Sequence, residues 1–134
     1  MALTYSRDDD RRRITVQISG YVATHQIVEV IERQAAEGTW AYAVLYDVRG
    51  TSWLPSREDL DRLMRTVEWG TTMCGTRGPV ALVVANPAAL AIAREYSRRV
   101  NAVARTEAFL DHGNATLWLD QVLATRAVSG VART

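Results

Sequence analysis

The chain is poor in the residues that build cross-linked or reactive sites. Cysteine occurs once in 134 residues, at Cys74, so no internal disulfide forms and every multi-cysteine metal site is excluded. Histidine occurs twice, at His25 and His112, and neither has a second histidine or a cysteine at helical i, i+4 spacing, so no metal and no cofactor is expected. Long apolar runs are missing too. The longest, such as Val80 to Ala85, is far short of the roughly 20 residues that cross a bilayer. Neither sign of charge dominates: 16 basic and 15 acidic residues leave a formal net charge of +1, which supplies no field to hold a polyanion, and nucleic acid is not an expected partner. The first residues run Met-Ala-Leu-Thr-Tyr and then reach Asp8-Asp9-Asp10, without a basic start and an apolar stretch, so a cytoplasmic address is the expectation.

What is present reads as one globular unit. Residues 13–19 alternate, with Ile14, Val16 and Ile18 on one face, which predicts a half-buried strand. Ala2 to Arg7 is a weaker strand, and Asp8-Asp9-Asp10-Arg11 joins the two as a hairpin turn. After Gly20, Thr24 is placed to cap a helix carrying Ile27, Val28, Ile31 and Ala35, stopped by Gly38. Tyr42 to Val48 is nearly all apolar, as a central strand covered on both faces should be. Ser56 followed by Asp59 forms a capping box ahead of a stripe of Leu60, Leu63, Met64 and Val67.

Gly70, Gly75, Gly78 and Pro79 read as a loop leading into a buried strand at Val80 to Val84. Asn86-Pro87 then opens a helix to about Val103, because asparagine accepts from free amides and proline at the first position lacks only a donor that has no partner there. A short strand at Thr106 to Leu110 and a helix capped by Asn114 complete the pattern. The expected fold is a single α/β domain over residues 1–124: an N-terminal hairpin, then alternating helices and strands in a mainly parallel five-stranded mixed sheet with helices on its faces. Residues 125–134 are expected to form a frayed tail.

In open α/β sheets ligands bind beyond the carboxyl ends of the strands, and the loop after Val48 is the richest of these. It offers Asp47, Arg49, Ser52, Trp53, Ser56 and Arg57 as ligand- or partner-binding candidates, with free amides where the next helix begins. The simpler alternative is that Asp47 pairs with Arg49 and Trp53 covers the core. Gly75-Thr76-Arg77-Gly78 precedes a strand instead of following one, so it reads as a turn and not a nucleotide loop. No Gly-x-Ser-x-Gly elbow frames a serine nucleophile. Cys74 with His25 or His112, and the pair Asp111-His112, are the remaining reactive combinations, each weighed against inert packing or an ordinary turn. Trp40, Trp53, Trp69 and Trp118 suit core packing, an apolar cavity or a subunit contact, and Arg94, Arg98, Arg99 and Arg105 suit a solvated face.

Ile14-Thr15-Val16 leading to Gly20-Tyr21-Val22-Ala23-Thr24, the strand ending Leu45-Tyr46-Asp47-Val48-Arg49-Gly50, Val80 to Val84, and Phe109 followed by Ala115 and Trp118-Leu119 together resemble the SpoIIAA-like family. That group is related to the STAS domains of anti-sigma-factor antagonists and, in shape, to Sec14-type lipid-binding domains. The resemblance implies that fold and a regulatory role. It also implies a phosphoacceptor serine in a stretch that here reads Pro55-Ser56-Arg57-Glu58, where Arg57 occupies the acceptor position and Ser56 is the nearest hydroxyl. The expected function is a non-catalytic regulatory or binding module, its partner a protein or a small apolar ligand near the loop after Val48. The alternative is a small-molecule enzyme using Asp47, Arg49, Ser52 and His112 at the strand ends, and a homodimer through exposed tryptophans is compatible with both.

Overall fold

A computed structural model describes residues 2–52 and 54–132 of the chain. The elements follow the expected order: β1 (Ala2–Asp8), β2 (Arg13–Gly20), α1 (Thr24–Ala36), β3 (Ala43–Thr51), α2 (Arg57–Cys74), β4 (Val80–Val83), α3 (Pro87–Val100), β5 (Thr106–Phe109) and α4 (His112–Ala132). The five strands form one sheet in the order β1-β2-β3-β4-β5, with β1 antiparallel to β2 and every other pairing parallel.

That monotonic order decides where the helices go. A right-handed crossover that always steps in the same direction puts each connecting helix on the same side of the sheet. Accordingly α1, α2 and α3 share the first face, over a core of Ile14, Val16, Ile18, Val44 and Tyr46 joined by Ile27, Ile31, Leu63, Val67 and Val100. The second face is left to α4 alone, whose Ala115 and Leu119 pack on Ala43, Leu45, Ala81 and Val83. The helix reaches β3, β4 and β5 and touches the start of β2 through the Arg13–Asp120 ion pair, while farther along β1 and β2 this face is polar, with Thr4, Ser6, Gln17 and Ser19 exposed. Helices therefore lie on both faces, as expected, but three against one.

Local signals explain most boundaries. Ser56 caps α2, accepting from the Asp59 N–H at 3.1 Å while Asp59 Oδ2 accepts from the Ser56 N–H at 2.8 Å. Asn86 accepts from the Ala89 N–H at 2.9 Å ahead of Pro87 in α3. Two caps differ from expectation. Ala23, not Thr24, precedes α1, and Gln26 Oε1 reaches back to the Ala23 N–H at 2.9 Å; the Thr24 hydroxyl instead meets Asp59 of α2. Asp111, not Asn114, opens α4, its carboxylate accepting from the N–H groups of Gly113 and Asn114. The helix α3 stops at Val100, short of the expected Val103, and α4 continues through most of the segment expected as a tail. Among the described residues, no helix is long and apolar enough to cross a membrane.

The largest boundary correction concerns α2, which runs through Gly70 to Cys74 where a loop was expected from Gly70 onward. Glycine is tolerated there because it is a contact, not a turn: a Cβ at Gly70 would lie 2.2 Å from the Trp40 ring. Gly70→Ala should therefore lower stability by about 1–2 kcal/mol in thermal unfolding, the overpacking against a buried indole outweighing the better helix propensity of alanine. A neutral or stabilising result would mean that the ring moves aside freely.

Candidate functional site

The strands β2 to β5 run the same way, so the loops that follow them share one edge of the sheet. On that edge Asp47 and Arg49 point to the second face and hold each other: Arg49 Nε donates to Asp47 Oδ1 at 2.9 Å and its Nη2 donates to Oδ2 at 2.8 Å. Asp47 is 6% exposed, and this guanidinium keeps its carboxyl below the usual carboxylate range despite burial. Asp111 and His112 stand close enough to act electrostatically on the pair. A carboxylate locked by a bidentate arginine is a weak proton acceptor, which speaks against Asp47 as a general base. Ser52 is exposed, and its N–H donates to the Gly20 carbonyl at 3.1 Å. Ser56 is engaged as the α2 cap, Arg57 is exposed at the first turn, and Trp53 lies outside the described residues.

Because its folded-state pKa is depressed, Asp47 contributes stability that is fully present above about pH 4, the ordinary carboxylate value, and is lost as pH falls below it. The gap in melting temperature between the wild type and Asp47→Asn should thus be widest near neutrality and close in strong acid. A gap that is flat with pH would remove the Asp47–Arg49 pair as a contributor.

On the first face, from the same edge, a cavity of about 150 Å³ runs beneath the helices. Its mouth lies among Thr51, Leu54, Pro55, Asn86 and Ala89. Its walls are Ile27 and Ile31 of α1, Leu60, Leu63 and Val67 of α2, and Ala93 and Tyr96 of α3, over Tyr46, Val48 and Leu82 of the sheet. A wholly apolar cavity of this size elsewhere stays dry and accepts a benzene-sized guest.

The far end, where the strands begin, is not apolar. Arg77 lines the cavity there and is 4% exposed, and its Nε and Nη1 have no hydrogen-bond partner. Its position comes from the loop between α2 and β4. The Gly78 N–H donates to the Trp40 carbonyl at 3.0 Å, and Gly78 lies so close to the segment leading into β3 that a Cβ would sit 2.2 Å from the Tyr42 carbonyl oxygen. The guanidinium stacks 4.4 Å from the Trp40 ring, and no carboxylate pairs with it among the described residues. Burial raises the phenol pKa of both Tyr46 and Tyr96, and the Arg77 cation beside them opposes that rise. The Tyr46 hydroxyl is likewise buried, with Arg77 as its polar neighbour. Stacking on an indole is worth about 0.5–2 kcal/mol, whereas removing a charge from water costs several kcal/mol. The Trp40 contact alone does not offset that cost.

The structure does not assemble the cysteine dyad. Cys74 ends α2 at the edge where the strands begin, while His25 and His112 stand at the opposite edge where they end. Arg98 and Arg99 pair with Glu95 and Asp61, and Arg105 lies 5.7 Å from the Trp118 ring, so the basic cluster is spread over separate surface contacts. Trp40 is core, Trp118 packs against Phe109, and Trp69 is exposed. Among the described residues no group of three or more His, Cys, Asp and Glu side chains is placed to hold a metal ion.

The architecture is that of the STAS/SpoIIAA-like α/β domains: one mixed five-stranded sheet with four helices. It superposes on the crystal structure of an anti-sigma factor antagonist from Mycobacterium paratuberculosis with a TM-score of 0.53, covering 89% of this chain and 95% of that one at 12% sequence identity. No protein-family model and no curated protein matches the sequence. At that identity the likeness defines the fold.

Proposed function

We propose that the chain is a non-catalytic regulatory module that meets a protein partner at the carboxyl edge of its sheet. The observation that carries this reading is the apolar surface displayed there: Tyr21 after β2 is 68% exposed, Leu54 after β3 is 62% exposed and Leu110 after β5 is 47% exposed. Tyr21 with Arg49 and Arg57 on the same edge supplies the aromatic and arginine side chains that are enriched at interface centres, and the two leucines add apolar contact area around them. The fold of an anti-sigma factor antagonist supports a partner-binding role. Arg57 takes the place of the phosphoacceptor, and a phosphate on Ser56 would face the carboxylate of Asp59, so the contact is constitutive and not gated by phosphorylation.

Affinity capture from the native host, run in parallel with the wild type and the Tyr21→Ser/Leu54→Ser variant, tests this. The expected result is a stoichiometric protein retained by the wild type and lost by the variant. Identical captures from both would overturn the reading. The cavity favours a second reading, a small apolar ligand entering beside Leu54 and Pro55.

A further inference from the structure

The ligand reading leaves Arg77 unexplained, since a purely apolar guest needs no buried cation. We propose that the cavity takes a carboxylic acid with a compact apolar body, its carboxylate bound by Arg77 and Tyr46 at the closed end and its hydrocarbon lying toward the mouth. The inference deepens the ligand reading and rests on it.

Three observations converge on this class of ligand. Among the described residues Arg77 lines the cavity without a carboxylate partner, and its Nε and Nη1 make no hydrogen bond, so the buried cation keeps unused capacity for an anion. The Tyr46 hydroxyl is buried beside Arg77, close enough for the guanidinium to act on its oxygen, and its own proton remains as a further donor to the same ligand oxygens. Apart from the Tyr96 phenol, the walls between these groups and the mouth are hydrocarbon: Leu63 and Val67 above, Val48 and Leu82 below. A single cation limits the head to a monoanion, and the roughly benzene-sized space limits the body to about six to eight carbons before it emerges at Leu54. The loop geometry holds the arginine in place ahead of any ligand. Gly78 docks against the Tyr42 backbone and Trp40 backs the guanidinium, so its planar face is fixed.

The experiment is isothermal titration of the intact protein with octanoate, 3-phenylpropanoate and 1-octanol, repeated on Arg77→Met and Ala89→Leu. The wild type should bind at least one of the two acids at one equivalent and more tightly than the alcohol by about thirtyfold, the factor equivalent to leaving one buried charge unpaired. Arg77→Met should lose acid binding by a similar factor and melt at a higher temperature than the ligand-free wild type, because it removes an uncompensated charge. Ala89→Leu keeps Arg77 and narrows the mouth, so it should weaken acid and alcohol alike. Equal affinity of wild type for octanoate and 1-octanol, or undiminished acid binding by a folded Arg77→Met, would overturn the carboxylate assignment and leave the apolar-ligand reading standing. Absence of binding by all three probes would overturn both.

Discussion

Trp40→Ala should cost about 3–5 kcal/mol, a large share of the roughly 5–15 kcal/mol that holds a domain of this size together. Trp40 is 3% exposed and joins three parts of the molecule: its ring edge fills the notch at Gly70 in α2, its face supports Arg77, and its carbonyl accepts from Gly78. Truncation leaves a void that none of these neighbours can close, because Gly70 has no side chain and the Gly78 loop is already against the Tyr42 backbone. Urea denaturation would display the loss as a fall in midpoint of more than about 1 M at constant slope. The pair is also coupled. In the Trp40→Ala background, Gly70→Ala should become neutral or stabilising, since its methyl group then finds space and alanine favours the helix by about 1 kcal/mol. Independent, additive effects would show that the indole and the glycine do not constrain each other.

Leu119→Ala should be nearly as costly, at about 3–5 kcal/mol, and its effect should concentrate in one element. The side chain is fully buried, and its neighbours across the interface include Ala43 and Ala81, which are too small to collapse into the gap. Among the described residues no second helix shares the load on that face. Native-state hydrogen exchange should therefore show the amides of α4 losing protection ahead of those of α1, which lies on the other side of the sheet. A uniform loss over both helices would mean that α4 unfolds only with the whole domain.

What could be read in the residues themselves depended on how local the cause was. The caps at Ser56–Asp59 and Asn86–Pro87 are completed within four residues, and the alternation of Ile14, Val16 and Ile18 needs only its own strand, so these features were legible. Gly70 was not, because its local preference for a loop is overridden by Trp40, which comes from a distant part of the chain. Asp111 and Asn114 are both good caps, and composition alone does not rank them. In the candidate site, Asp47 and Arg49 form the ion pair that their spacing on one strand end makes the simpler role for them. The cavity was hidden for a different reason. It exists only where three helices meet one face of the sheet, and Arg77, set between two glycines ahead of a strand, has every local mark of a solvated turn. Only the tertiary arrangement reveals that it is buried.

The monotonic strand order also has a kinetic meaning. Each parallel pairing, Ile14 with Val44, Val44 with Val80, Val80 with Thr106, is bridged by one helix and no intervening strand. Loop-closure entropy grows only slowly with length, so each strand can add to the growing sheet at a similar and modest entropic cost, without waiting for a distant segment to thread between neighbours. Such a chain should refold on the faster side of the α/β range, with the sheet growing outward in the order in which it is synthesised.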